Sequence, residues 1–194
     1  MQRLRKCLGV DIGTSSIKVV ELSAEKTGVR VVRMVRAELN LPPGPLDNER
    51  ISATAKALKE LVSKSKFSTR QAVFSIPGQS VFIRRIKVPR TTEERLHRIV
   101  AYEARQQIPF ALDNALMEYQ VFDLGDAPEL EVLLVAIKKD IVLEFMKVVN
   151  KSGLKPVAIS VSSLALFNFY AFDALSAEEV AEQLSPKRKK AAAG

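Results

Sequence analysis

Asp11, Gly13, Thr14, Ser15, Ser16 and Lys18 bring a carboxylate, a permissive backbone position, hydroxyls and an ammonium together in one short stretch. Such a set can hold the terminal phosphates of a nucleotide: the carboxylate orients a metal, the turn offers backbone N–H donors, and the cation balances negative charge. Gly13 supplies the conformational freedom that lets neighbouring amides point outward together. The same spacing also describes an ordinary hairpin with Asp11 solvated at a strand end, and residue types alone leave both readings open. The sequence has neither a Walker loop nor a G-x-G-x-x-G segment, so P-loop and Rossmann sites are not supported.

The elements that must position this set follow from periodicity. Apolar and β-branched residues before Asp11 and after Ser16 favour two strands, and Val29 to Leu39 adds a third behind the Thr27-Gly28 turn. The first forty residues are therefore expected as an antiparallel meander. Pro42-Pro43-Gly44-Pro45 stops it, and Asp47 is expected to cap a helix whose apolar side is Ile51, Ala55, Leu58, Leu61 and Val62. Gln71 to Ile76 returns to strand and ends at Pro77-Gly78.

From Ser80 a strand runs to Val88, and a helix follows with Thr91 and Glu94 as a capping box and Ile108-Pro109 as its end. Met117–Leu124 and Leu130–Ile137 read as strands around a Gly-containing turn. Asp140 is expected to cap another helix that stops near Gly153, and Pro156–Val161 supplies a last strand. The order β-α-β-β-α-β predicts a second subdomain with two helices on one face of an antiparallel sheet. Leu164–Leu175 is expected as an apolar helix packing back on the meander, and residues 176–194 as a flexible basic tail.

Composition narrows the function classes. With 194 residues, 47% of them apolar, the chain can bury one or two modest cores. Of the formal charge of +8, four positive charges belong to Lys187, Arg188, Lys189 and Lys190. A second cluster, Arg84, Arg85, Lys87 and Arg90, lacks the interleaved aromatic platform of a single-strand binder, so no nucleic-acid partner is expected. No apolar run approaches the ~20 residues of a spanning helix and no signal-like stretch follows the basic N-terminus, which predicts a cytoplasmic protein that meets a membrane only indirectly. Cys7 is the sole cysteine, which excludes intramolecular disulfides and cysteine-based metal sites and leaves a small buried role. His97 has no nucleophile and carboxylate placed with it in sequence and reads as a surface position. No catalytic residue is assigned.

The stretch VDIGTSSIKVVEL resembles the first phosphate motif of the actin-like ATPase superfamily, which includes sugar kinases and the Hsp70 chaperones. The β-α-β-β-α-β unit resembles the SHS2-like subdomain of its FtsA-like branch. Within it, Val100 to Phe110 carries E-x-x-Q-x-I-P-F, similar to the pattern of the type IV pilus assembly protein PilM family, and Met117-Glu118-Tyr119-Gln120-Val121 fits that family too. The resemblance runs from about Leu4 to Leu175. It implies an α/β fold, the first lobe of an actin-like ATPase (ribonuclease H-like), with residues 1–78 and 159–175 forming the actin-like subdomain and 79–158 the insert.

By the same resemblance Asp11 acts through water on magnesium, the amides of Gly13, Thr14 and Ser15 contact the β- and γ-phosphates of ATP, and Lys18 lies near them. The implied partner is the N-terminal peptide of a PilN-like inner-membrane protein, received in a groove between the two subdomains, and self-association is compatible with the family. The implied function is a cytoplasmic assembly component of a type IV pilus machine, peripheral to the inner membrane. An actin-like cleft also needs a second lobe with a second phosphate loop, and this lobe is expected to be absent. Asp123-Leu124-Gly125 copies that loop's D-x-G without the hydroxyls that should follow, and reads as a hairpin turn. ATP and magnesium are thus expected to be held weakly and not turned over. The alternatives are the N-terminal part of an actin-fold ATPase or sugar kinase, and a basic nucleic-acid-binding module.

Overall fold

Strand-forming residues on either side of Gly13 and Gly28 fold as the expected meander. β1 (Lys6–Ile12), β2 (Ser16–Glu25) and β3 (Gly28–Glu38) run antiparallel, in a computed structural model that describes residues 5–174 apart from 27, 43, 45, 46, 124 and 126. The tail expected over 176–194 lies outside the described residues. Alternation places Leu8, Val10, Ile12, Ile17 and Val19 on one face, where all are buried. α1 (Asn48–Lys64) begins where the Asp47 Oδ1 accepts the Arg50 N–H at 2.8 Å, and it buries Ile51, Ala55, Leu58 and Val62 along one stripe. β4 (Gln71–Ile76) then pairs with β1 in parallel.

The second unit is a three-stranded antiparallel sheet ordered β5 (Phe82–Pro89), β7 (Glu129–Lys138), β6 (Ala115–Phe122). Its core joins Ile86, Val88, Leu130, Val132, Leu134 and Ala136 of the sheet to Leu96, Val100 and Ala104 of α2 (Glu93–Gln107) and to Ile108. Each buried aliphatic side chain of this kind contributes about 1.5–3 kcal/mol relative to leaving it exposed. The helix start differs from expectation. Thr92 occupies the N-cap without a side-chain cap bond, and Glu94 pairs with Arg98 one turn on at 3.3 Å rather than closing a capping box.

The largest departure is the reach of the insert. α3 (Lys139–Lys151) and β8 (Lys155–Val161) do not join the second sheet; β8 pairs in parallel with β4, giving a five-stranded sheet β3-β2-β1-β4-β8. Residues up to Ser80 and Lys139–Ser163 therefore make the first unit, and Val81–Lys138 is a strand-helix-strand-strand insertion rather than a six-element one. The reason is packing. α3 buries Phe145, Val148 and Val149, and the Phe145 ring meets Phe74 of β4 edge-on at 6.3 Å and 85°. A parallel neighbour also needs a long crossover, which the insert and α3 supply between β4 and β8. Gly153, at φ 77°, ends α3 in the left-handed conformation expected of a glycine stop.

α4 (Ser162–Ala174) follows β8 directly, and its side chains are not covered as expected. Leu166, Phe167, Phe169, Tyr170 and Phe172 are 54–68% exposed, and they point around the helix instead of along one stripe, so no single sheet face could bury them all. Cys7 is half-buried in β1, also short of the fully buried place expected for it. Burial pushes its thiol up, against the smaller opposing effect of backbone hydrogen bonding at Val73 and Leu8. A raised thiol holds less thiolate at any given pH below its own range, so iodoacetamide should alkylate Cys7 of the folded chain about fivefold or more slowly at pH 8 than in denaturant. Equal rates would mean that β1 does not shield it.

Candidate functional site

Asp11 is the penultimate residue of β1, and the register shows what stands beside it. Lys18 of β2 and Ser75 of β4 lie directly opposite, and Arg36 of β3 and Ser160 of β8 continue the line. Cross-strand partners share a face. Arg36, Lys18, Asp11, Ser75 and Ser160 therefore form one polar row across the sheet, at the carboxyl ends of the parallel strands β1, β4 and β8, where open α/β sheets place ligands. Lys18 Nζ donates to Asp11 Oδ2 at 3.0 Å, and Ser75 Oγ donates to Oδ1 at 3.2 Å. The Lys18 and Asp11 side chains are 55% and 45% exposed, so their pair is worth about 0–1 kcal/mol at most.

The turn itself is closed by its own backbone. The Gly13 N–H donates to the Ser16 carbonyl at 3.0 Å, and the Leu39 N–H donates to the Ser15 carbonyl at 2.6 Å. A Cβ at Gly13 would come within 3.1 Å of the Ser16 carbonyl oxygen, which is why a glycine closes the turn. Two sequence expectations are corrected here. The Gly13 amide is committed to turn closure and does not point outward, and Ser16, 4% exposed, is withdrawn into the sheet where it pairs with Glu38. Thr14 and Ser15 remain exposed, and with Lys18 they are the outward-facing members of the predicted set.

Arg50 escaped sequence reasoning altogether. Its Nη1 donates to the Pro42 carbonyl at 2.6 Å and its Nη2 to the Thr14 carbonyl, so a first-turn helix residue ties the hairpin to the proline-rich segment. Arg50 is 8% exposed and has no ion pair among the described residues. A cation at the start of a helix faces the positive end of the macrodipole, which disfavours it by about 0.3–1 kcal/mol. Nothing in helical spacing marks such a residue. Its role depends on a neighbour 36 positions away in sequence. Glu21 was equally hidden; 1% exposed, it accepts the Ser68 N–H at 3.2 Å and the Ser68 hydroxyl.

A second hydroxyl group of residues gathers at the same strand ends. The Gly78 N–H donates to Ser162 Oγ at 3.0 Å, and a Cβ at Gly78 would approach Ser163 Oγ to 3.3 Å. By contrast Asp123 and Gly125 form a turn held by Arg90, whose Nη1 and Nη2 donate to the Asp123 carboxylate at 3.1 and 2.6 Å; Leu124 lies outside the described residues. Arg85 pairs with Glu131 at 3.2 Å, so the basic cluster of the insert is partly neutralised. His97 sits on the surface with Nδ1 3.2 Å from the Tyr119 hydroxyl, whose pKa is raised by burial and by Glu93 and Glu118. Among the described residues, no group of three or more His, Cys, Asp or Glu side chains is assembled for a metal.

A family model described as type IV pilus assembly protein PilM matches residues 9–192. Among solved structures, the chain is similar to a PilM–PilN type IV pilus biogenesis complex at 25% identity and a TM-score of 0.73, covering 88% of this chain and 51% of that one. It is also similar to the cytoplasmic domain of EpsL, an inner membrane component of the type II secretion system of Vibrio cholerae, at 14% identity and a TM-score of 0.52, covering 80% of this chain and 57% of that one. The second likeness shows the fold alone. The mixed five-stranded sheet of the first unit matches a partial actin-like lobe. The chain spans about half the length of the PilM chain it matches.

Proposed function

This chain belongs to the PilM family of type IV pilus assembly proteins, and from that premise we propose that it is a cytoplasmic assembly component which binds the N-terminal peptide of a PilN-like inner-membrane protein. The observation that carries the reading is the family match over residues 9–192, joined to the likeness to a PilM–PilN complex. Among the described residues no helix is long and apolar enough to cross a membrane. Co-purification of the tagged chain with a PilN-type protein tests this, and loss of the complex on deleting the partner's N-terminal peptide is the expected result. A complex that survives the deletion would place the contact elsewhere.

The hairpin adds a partial phosphate site to this role. Thr14, Ser15 and Lys18 suit the terminal phosphates of a nucleotide such as ATP, since all three are exposed and bring two hydroxyls and a cation to the turn and the strand that follows it. The residues do not suit a protein-held magnesium. Asp11 is the sole carboxylate of the polar row and Lys18 already neutralises it. The site is accordingly a binding feature, and no hydrolytic step is assigned to it.

A further inference from the structure

We infer that the buried guanidinium of Arg50 is the fixed counter-charge of an oxyanion site at the Thr14-Ser15 turn, which therefore captures a phosphate group without a divalent metal. The inference rests on the reading of that turn as phosphate-facing, and deepens it. Three observations carry it. Arg50 is 8% exposed, yet both its contacts are neutral carbonyls, those of Pro42 and Thr14. A charge buried in this way keeps most of its field, because little water screens it.

Among the described residues no carboxylate is ion-paired to Arg50. Asp47 spends its Oδ1 on the Arg50 backbone N–H at 2.8 Å, Glu49 precedes Arg50 on α1 without forming an ion pair to it, and Asp11 is matched by Lys18 at 3.0 Å. With Asp11 and Lys18 matched to each other, Arg50 is the cation behind the turn that no carboxylate pairs among the described residues.

Peptide geometry supplies the donor. In a trans peptide the C=O and the following N–H point in opposite directions. Drawing the Thr14 carbonyl toward Arg50 turns the Ser15 N–H away from it, on a residue that is exposed. One residue thus aims a donor outward and places a positive charge behind it. Thr14 and Ser15, the two residues that share this peptide, are both exposed and carry hydroxyls, and the ligand class is a phosphate monoester or the end of a polyphosphate chain.

The test titrates inorganic pyrophosphate into the full chain in EDTA, following the Thr14 and Ser15 amide signals by NMR, and repeats the titration with excess magnesium. Wild type should bind in EDTA, with magnesium changing affinity about twofold or less. Arg50→Gln, which removes the charge together with both Nη donors, should bind about tenfold or more weakly, whereas Arg50→Lys, which keeps the charge, should stay within about threefold. Should Arg50→Gln fail to fold, the wild-type EDTA arm and Arg50→Lys still decide the matter. Binding that requires magnesium, or Arg50→Gln matching wild type, overturns the role of Arg50. No shift at Thr14 or Ser15 under either condition overturns instead the phosphate reading of the turn.

Discussion

Phe74→Ala is expected to destabilise the first unit by about 3–5 kcal/mol, a large share of the roughly 5–15 kcal/mol that holds a typical domain together. Phe74 is fully buried in β4, which lies between β1 and β8, and its ring meets Phe145 of α3 edge-on. Truncation removes apolar contact from a sheet strand and a helix at once, and the surrounding sheet cannot collapse into the space without shifting α3. The neighbouring Ser75, which donates to Asp11 at 3.2 Å, should lose its fixed position as well. Urea unfolding followed by circular dichroism measures the loss. A cost under about 1 kcal/mol would mean that α3 does not pack against β4, and so that the reassignment of α3 and β8 to the first sheet is wrong.

Leu134→Ala is expected to cost about 2–5 kcal/mol, and to cost it in the other unit. Leu134 is fully buried at the middle of β7, the central strand of its sheet, among Val132, Ala136, Val100 and Ala104. No element of the five-stranded sheet belongs to this core. Native-state hydrogen exchange should therefore show protection falling across β5, β6 and β7 while amides of β1 and β4 hold theirs. Uniform loss over both sheets would show that the two units unfold as one.

Much of the element order was legible because it rests on local rules. The hairpins, the Asp47 cap, the stripe of α1 and the Gly153 stop each depend on residues within a turn or two of one another, and each formed. What failed depends on partners distant in sequence. β8 is expected from element order to close the second sheet, and the edge of β4 with the seat for Phe145 takes it into the first instead. Ser75, Ser160 and Arg36 are unremarkable in their own strands and become part of a site only through register. The family resemblance implies Gly13 as a phosphate donor, whereas closing so tight a turn consumes that N–H. Family resemblance carried the rest, through a phosphate motif and an I-P-F helix end rather than through any complete constellation of chemistry.

The most direct measurement of the central claim is a fluorescence-anisotropy titration of a labelled N-terminal peptide from a PilN-like protein with the full chain. Saturable binding at about 100 μM or tighter, abolished by scrambling the peptide, is the predicted result. No saturable change up to about 1 mM, or equal binding of the scrambled peptide, would contradict the assignment of this chain as a recruiter of that partner.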